Sequence, residues 1–166
     1  MNAVQKLFAT DSSNVSALLT RVILGGVMLA HGLQKLLGWF GGNGFNATMQ
    51  VFTEQMNIPA VLAFLVILFE TLGALCLILG LGSRIMALGI MSIMIGAIAL
   101  VHWNYGFFMD WHNVKPGEGF EYHLLAIAAS LGIVLEGGGQ WSIDSLLKFG
   151  SKRTEDARSK KVLVGT

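Results

Sequence analysis

From residue 15 to residue 135 the chain is almost continuously apolar, and the few charges set into that stretch decide what it can become. Arg21, Lys35, Glu70, Arg84 and Glu121 interrupt or border the hydrophobic runs, with His31, His102 and His123 close by. An ionisable group at the centre of a membrane helix costs roughly 2.5–3.5 kcal/mol on insertion scales, so it usually faces a partner or a cavity and marks a functional site.

The composition favours a bilayer as the solvent. Of 166 residues, 54% are hydrophobic and only 13% charged, against about 25% charged in a soluble domain. The length suits one domain. The formal net charge is +1, yet seven of the eleven basic residues lie before residue 10 or beyond residue 147. A neutral, apolar middle and a basic tail remain.

Four runs are candidate spans: 15–37, 59–81, 84–101 and 120–135. A hydrocarbon core of about 30 Å needs about 20 helical residues, with a range of about 17–25. The first two runs meet this and the third just reaches it. The fourth is only about 24 Å long at 1.5 Å per residue, so it needs tilt-free packing, local thinning or snorkelling of Glu121 and Glu136. The turn at 81–83 is short enough only for an antiparallel hairpin. A cleaved signal peptide is the alternative to a first span, but residues 1–14 lack an apolar core and the run at 15–37 is too long for one. The expected fold is all-α: an integral membrane four-helix bundle within residues 1–149, then a polar, basic, disordered tail over 150–166.

Lysine and arginine set the expected orientation. Lys6, Arg21, Arg84, Lys148, Lys152, Arg153, Arg158, Lys160 and Lys161 fall on one side, and Lys35 and Lys115 on the other. By the positive-inside rule both termini are cytoplasmic, and residues 38–58 and 102–119 face outward. In a bacterium this is a multi-pass protein of the inner membrane with its loops in the periplasm. The basic tail would be drawn to anionic headgroups.

The outward segments have their own patterns. Phe45, Met49, Phe52 and Met56 recur at helical spacing after glycines 38, 41, 42 and 44, as in an amphipathic stretch on the surface or in the bundle mouth. Trp39, Trp103, Tyr105 and Trp111 either form an interfacial aromatic belt or shape a pocket. On the other side, Ser142 is a candidate N-cap for a short helix through about Phe149, with Asp144 in its first turn.

Helical spacing shows which charges can meet. Arg21, Gly25, Met28, Gly32 and Lys35 step by 4, 3, 4 and 3 and share one face, whose glycines allow a close neighbour. Antiparallel pairing puts Glu70 level with about Met28, His31 a turn away and Lys35 about two turns away. Two clusters follow. The outer one holds His31, Gln34, Lys35, His102 and Glu121 with Glu70 beneath; the inner one holds Arg21 and Arg84, near headgroups or the 142–144 turn. The outer mixture of acid, base and imidazole suits proton transfer coupled to reduction of a quinone. Each member also has a blander role: snorkelling for Lys35, structural pairing for Glu70, packing for His31 and His102, and topology or phosphate binding for Arg21 and Arg84. His112 and His123 are weaker candidates, one in a loop and one able to face away from Glu121.

Other chemistries are poorly supported. No HxxxH or CxxC pair occurs, so no metal site is expected; convergence of the four histidines on haem or copper stays open. Cys76 stands alone inside the second run and reads as a packing residue. No dinucleotide fingerprint, phosphate loop or triad appears, and no nucleic-acid partner is indicated.

HGLQKLLGWFGGNG (31–44), FETLGALCLILGLGSR (69–84), NYGFF (104–108), FEYHLL (120–125) and GGGQWSID (137–144) resemble the DoxX family, in that order, over about residues 17–147. The resemblance implies a four-helix bacterial inner-membrane protein. The family is named for the small subunit of a thiosulfate:quinone oxidoreductase, and other members are linked to membrane redox complexes and to thiol or oxidative stress. It highlights Lys35, Glu70, Arg84, Glu121 and Asp144.

The expectation is therefore a membrane component of a quinone-linked redox system, possessing no redox cofactor motif of its own. It either binds a quinone or anchors a redox partner at the periplasmic side. Glu70 and Glu121 would handle protons, Lys35 would stabilise negative charge, and His31, Gln34 and His102 would contact the quinone. Whether the chain is itself an enzyme subunit is left open. The alternatives are a non-enzymatic anchor or assembly factor for a metal- or thiol-handling partner, and a small transporter of protons, metal or solute. A redox protein or a second copy of the chain would be its partner, beside the bilayer.

Overall fold

The computed structural model describes residues 8–112, 114 and 116–146, which are mostly helical and contain no strand. Helix α1 (Val15–Leu37) starts at Asn14, whose side-chain oxygen accepts from the Ala17 N–H. It stops at Gly38, left-handed at φ 74°, whose N–H reaches the Leu33 carbonyl. This pairing of an Asx N-cap with a C-terminal glycine satisfies groups that an apolar solvent cannot. Helix α2 (Gly44–Gln50), extended by a π turn at Val51–Gln55, follows as the amphipathic segment. It buries Thr48, and Phe45 meets the edge of Phe64.

Helices α3 (Ala60–Leu79) and α4 (Ser83–Tyr105) form the expected tight hairpin. Gly80 and Gly82 both have positive φ, 71° and 61°, in the turn between them. Helix α5 (Glu121–Glu136) closes the bundle, and α6 (Ile143–Leu146) follows the glycine-rich turn. The proposed continuation of α6 to Phe149, and the tail at 150–166, lie outside the described residues.

Helices α1, α3 and α4 are long and apolar enough to cross a membrane. Helix α5 has sixteen residues and falls short of that length. Its outward face, with Leu124, Leu125, Leu131 and Leu135 exposed, is nonetheless as apolar as theirs. The four pack in a ring, α1 beside α3, α3 beside α4, α4 beside α5 and α5 beside α1. This is the up-down-up-down bundle expected of short connections. Leu24, Met28, Ala74, Leu77, Ala87, Ile90, Met94, Ala126 and Ile133 form its core. The small residues among them let helices approach closely, because lipid offers no hydrophobic drive to associate.

One end carries α2 and the 106–120 connection and is called here the loop end; the other carries the α3–α4 turn and α6. Arg21 and Arg84, expected near headgroups or the 142–144 turn, lie beside that turn, within electrostatic reach of Asp144, and clamp carbonyls at this second end. Arg21 is buried. Its Nε donates to the Gly138 carbonyl at 2.6 Å, Nη1 to those of Leu77 and Ile78, and Nη2 to those of Gln140 and Trp141. Arg84 donates to the Val134, Leu135 and Ala9 carbonyls. The last carbonyls of a helix have no intrahelical partner, so the two guanidinium forks cap α3 and α5. Asp144 caps α4, accepting from the N–H groups of Gly82 and Ser83 and from the Ser83 hydroxyl. Ser142 accepts from the Ser145 N–H as anticipated.

Candidate functional site

The site grows from a close approach of α1 to α3. Gly25 lies against Ala74 and Ile78, and Gly32 against the main chain of Glu70. Glu70 is thus level with Gly32 and not with Met28, a full turn nearer the loop end than simple antiparallel pairing predicts. Lys35, one turn beyond Gly32, closes the remaining distance. Its Nζ is 2.5 Å from Glu70 Oε2, the only ion pair among the described residues. Pairing offsets the cost of placing both charges within membrane-spanning helices.

A local widening of α3 presents Glu70. Residues Phe69–Gly73 form a π turn, and the Thr71 hydroxyl donates to the carbonyls of Ile67 and Leu68. A hydroxyl returned to the preceding turn competes with the helical ladder and favours such a bulge. A further π turn, Ile98–His102, carries His102 at the loop end of α4.

Next to the ion pair runs a row of rings. The His31 and Tyr122 centroids are 6.0 Å apart, Tyr122 and His123 5.5 Å, and His123 and His102 4.1 Å. His31 is within electrostatic reach of Lys35 and Glu70, and Tyr122 of Glu70. His102 Nδ1 lies 2.8 Å from the Glu118 carbonyl. A carbonyl can only accept, so Nδ1 carries the proton and Nε2 is left as the basic nitrogen. The buried Tyr122 hydroxyl and the buried His123 Nδ1 have no hydrogen-bond partner. Buried polar atoms are normally satisfied, so the orphaned hydroxyl and ring nitrogen stand out within the bundle.

The predicted outer cluster is therefore divided. Lys35, Glu70 and His31 come together, and His102 joins them through His123 and Tyr122. Glu121 instead turns toward the 106–120 connection, where its Oε2 accepts from the Met109 N–H at 3.2 Å. Gln34 stays with His31, to which its side chain hydrogen-bonds, and also donates to the Phe40 carbonyl in the turn after α1. Sequence reasoning missed Tyr122 and undervalued His123. Their signal was a phenol and an imidazole side by side at the mouth of an apolar run. Among the described residues no three His, Cys, Asp or Glu side chains gather as metal ligands. Trp39, Trp103 and Trp111 are exposed around the loop end, and Trp103 stacks on Phe120.

A groove of about 340 Å³ runs along the seam between α1 and α5. Leu19, Ile23, Val27, Leu125 and Ala129 line it, and Tyr122 stands among its lining residues at the loop end.

Comparison with known proteins gives a coherent picture. The family model of DoxX matches residues 16–103, from α1 through nearly all of α4. The chain is 27% identical over 141 residues to a Bacillus subtilis (strain 168) protein named "Putative oxidoreductase CatD", an alignment covering 85% of this chain and 93% of that one. No solved structure matches it.

Proposed function

We propose that this multi-pass membrane protein, which belongs to the DoxX family, is the quinone-handling component of a redox system in the bacterial inner membrane. In this reading the loop end faces the periplasm and both termini the cytoplasm, as the distribution of lysine and arginine favours. The observation that carries the reading is the meeting of a carboxylate, an ammonium, an imidazole and a phenol within the bundle. The naming of a relative as an oxidoreductase agrees with it.

A bound quinone would supply a two-electron, two-proton acceptor, with electrons arriving from a redox partner. The residues of this chain supply the rest. Tyr122 and His31 offer hydrogen-bond donors for ring oxygens, a role open to Tyr122 because its hydroxyl has no internal partner. Glu70 and Lys35 hold one carboxylate and one ammonium a single hydrogen bond apart, so a proton can shift between them without charge separation across lipid. Lys35 also places positive charge where negative charge would develop. The exposed Trp39, Phe40, Phe108 and Trp111 at the loop end suit the docking of a partner, which also favours a second reading as a membrane anchor.

The test is extraction of quinone from protein purified in mild detergent. Bound quinone in the native chain, reduced about tenfold in Glu70→Gln or His31→Ala, would support the proposal. A native protein that neither retains nor reduces quinone but copurifies with one soluble oxidoreductase would replace it with the anchor. Flux in proteoliposomes, abolished by Glu70→Gln, would replace it with a transporter. A Soret band in the purified protein would bring haem into the account.

A further inference from the structure

We infer that residues 137–146 form an inverted membrane-surface element, with Trp141 and Leu146 inserted among the lipids of the leaflet opposite the loop end. The segment contributes only the four-residue helix α6, so length does not mark it as a membrane element. Its sidedness does. Ser142 and Asp144 are 0% and 3% exposed, whereas Trp141 and Leu146 are 80% and 76% exposed. In water, a segment closing the end of a bundle turns its apolar side chains inward and its polar ones out. This segment does the reverse, an arrangement that is favourable where the surroundings are apolar.

Specific bonds hold the polar side in. The Ser142 hydroxyl donates to the Gly139 carbonyl at 2.8 Å, and Asp144 accepts from the first N–H groups of α4. Gly80 leaves no room for a β-carbon beside Ser142. The backbone of Trp141 is fixed as well, because Arg21 Nη2 donates to the Gln140 and Trp141 carbonyls at 3.1 and 3.0 Å. Trp141 is held at φ 51°, a left-handed conformation that a bulky residue rarely adopts. Such a conformation persists where its surroundings over-determine it, and here the clamped backbone leaves the indole outside the bundle.

The level along the bundle identifies the layer. Gly139 lies against Asn14, Ala17 and Leu18, at the start of α1. The 23 residues of α1 rise about 34 Å at 1.5 Å each, just over the hydrocarbon core of about 30 Å. Two residues beyond Gly139, Trp141 therefore meets the boundary between acyl chains and headgroups, where an indole buries its ring and keeps its N–H wet. Helix α5 has only sixteen residues, and the turn after it carries the apolar surface on to this level. In sequence the segment is followed by Lys148, Lys152 and Arg153, a composition that anionic headgroups attract.

Fluorescence of the full chain in vesicles of phosphatidylcholine and phosphatidylglycerol tests this. Replacing Trp39, Trp103 and Trp111 by Phe leaves Trp141 as the one tryptophan. Its emission should be shifted to the blue of tryptophan in water. Lipids brominated on the acyl carbons nearest the headgroup should quench it about twofold more than lipids brominated near the chain end. Should the triple variant not fold, the native chain is compared with Trp141→Phe, and the shallow-quenched emission should be the part that this substitution removes. Quenching by aqueous acrylamide but by neither lipid would put the segment in water and overturn the inference. Stronger quenching from the chain end would put Trp141 deep in the bilayer and overturn it too. Protection from all three quenchers, together with a dimer-sized species in detergent that Trp141→Phe dissociates, would assign this face to a second copy of the chain instead. None of these outcomes depends on the quinone reading.

Discussion

Gly32 of α1 and Glu70 of α3 touch main chain to main chain, with no room between them for a β-carbon. The whole candidate site depends on this contact, since it fixes the height of Glu70 relative to Lys35. Gly32→Ala should force the helices apart and cost about 1–3 kcal/mol, as overpacking does. Gly26→Ala is the control: nothing lies within 4 Å of the added carbon, so helix propensity alone should make it neutral or slightly stabilising. Thermal unfolding in detergent compares the two, and equal behaviour would show that the close approach does not matter.

Lys35 and Glu70 should prove strongly coupled. Removing one partner leaves the other charge in a poor environment, with a cost near the lower end of about 3–5 kcal/mol because Lys35 is a quarter exposed. The double variant Lys35→Met with Glu70→Leu should cost clearly less than the sum of the single changes. A double-mutant cycle on unfolding free energies measures this, and additive effects would dismiss the pair as incidental.

Asp144 should act on α4 although α4 is distant in sequence. Asp144→Ala removes the acceptor for two N–H groups and one hydroxyl, with an expected loss of about 1–2 kcal/mol. Hydrogen exchange should locate the damage at Gly82 and Ser83. Arg21→Lys should be worse than its similar charge suggests, because an ammonium cannot fork to carbonyls on α3 and on the 137–141 turn together.

Asp11, in the turn before α1, gives a pH dependence outside the bundle. The Ser13 N–H and then its hydroxyl donate to the carboxylate and hold its pKa below the ordinary value. A depressed folded pKa means that this local contribution is present above the unfolded value and disappears as pH falls through the folded one. Ser13→Ala should move the carboxylate titration upward, toward normal. An NMR titration of the side chain follows it directly.

Much of this arrangement was legible in the residues themselves. Apolar runs of membrane length specify α1, α3 and α4. The 4-3-4-3 spacing of Arg21, Gly25, Met28, Gly32 and Lys35 specifies one inward face, and all but Lys35 are fully buried on it. The glycine turn between α3 and α4 and the Ser142 cap could be read for the same reason: local backbone chemistry leaves few alternatives.

What was not legible concerns facing and height. Helix α5 is apolar on nearly every side, so periodicity does not reveal that Tyr122 and His123 point toward His31 and His102 while Glu121 turns to the loop. The register of α3 on α1 is set by a glycine contact and by a π turn that Thr71 supports. Arg21 and Arg84 look like topological or anion-binding charges until the orphan carbonyls that they serve come into view. Sequence by itself determined which segments enter the bilayer and which faces carry polar groups, because transfer free energy is a property of composition and spacing. Only the tertiary structure decided which polar groups meet, because a shift of one helical turn, about 5.4 Å, separates a hydrogen bond from no contact at all.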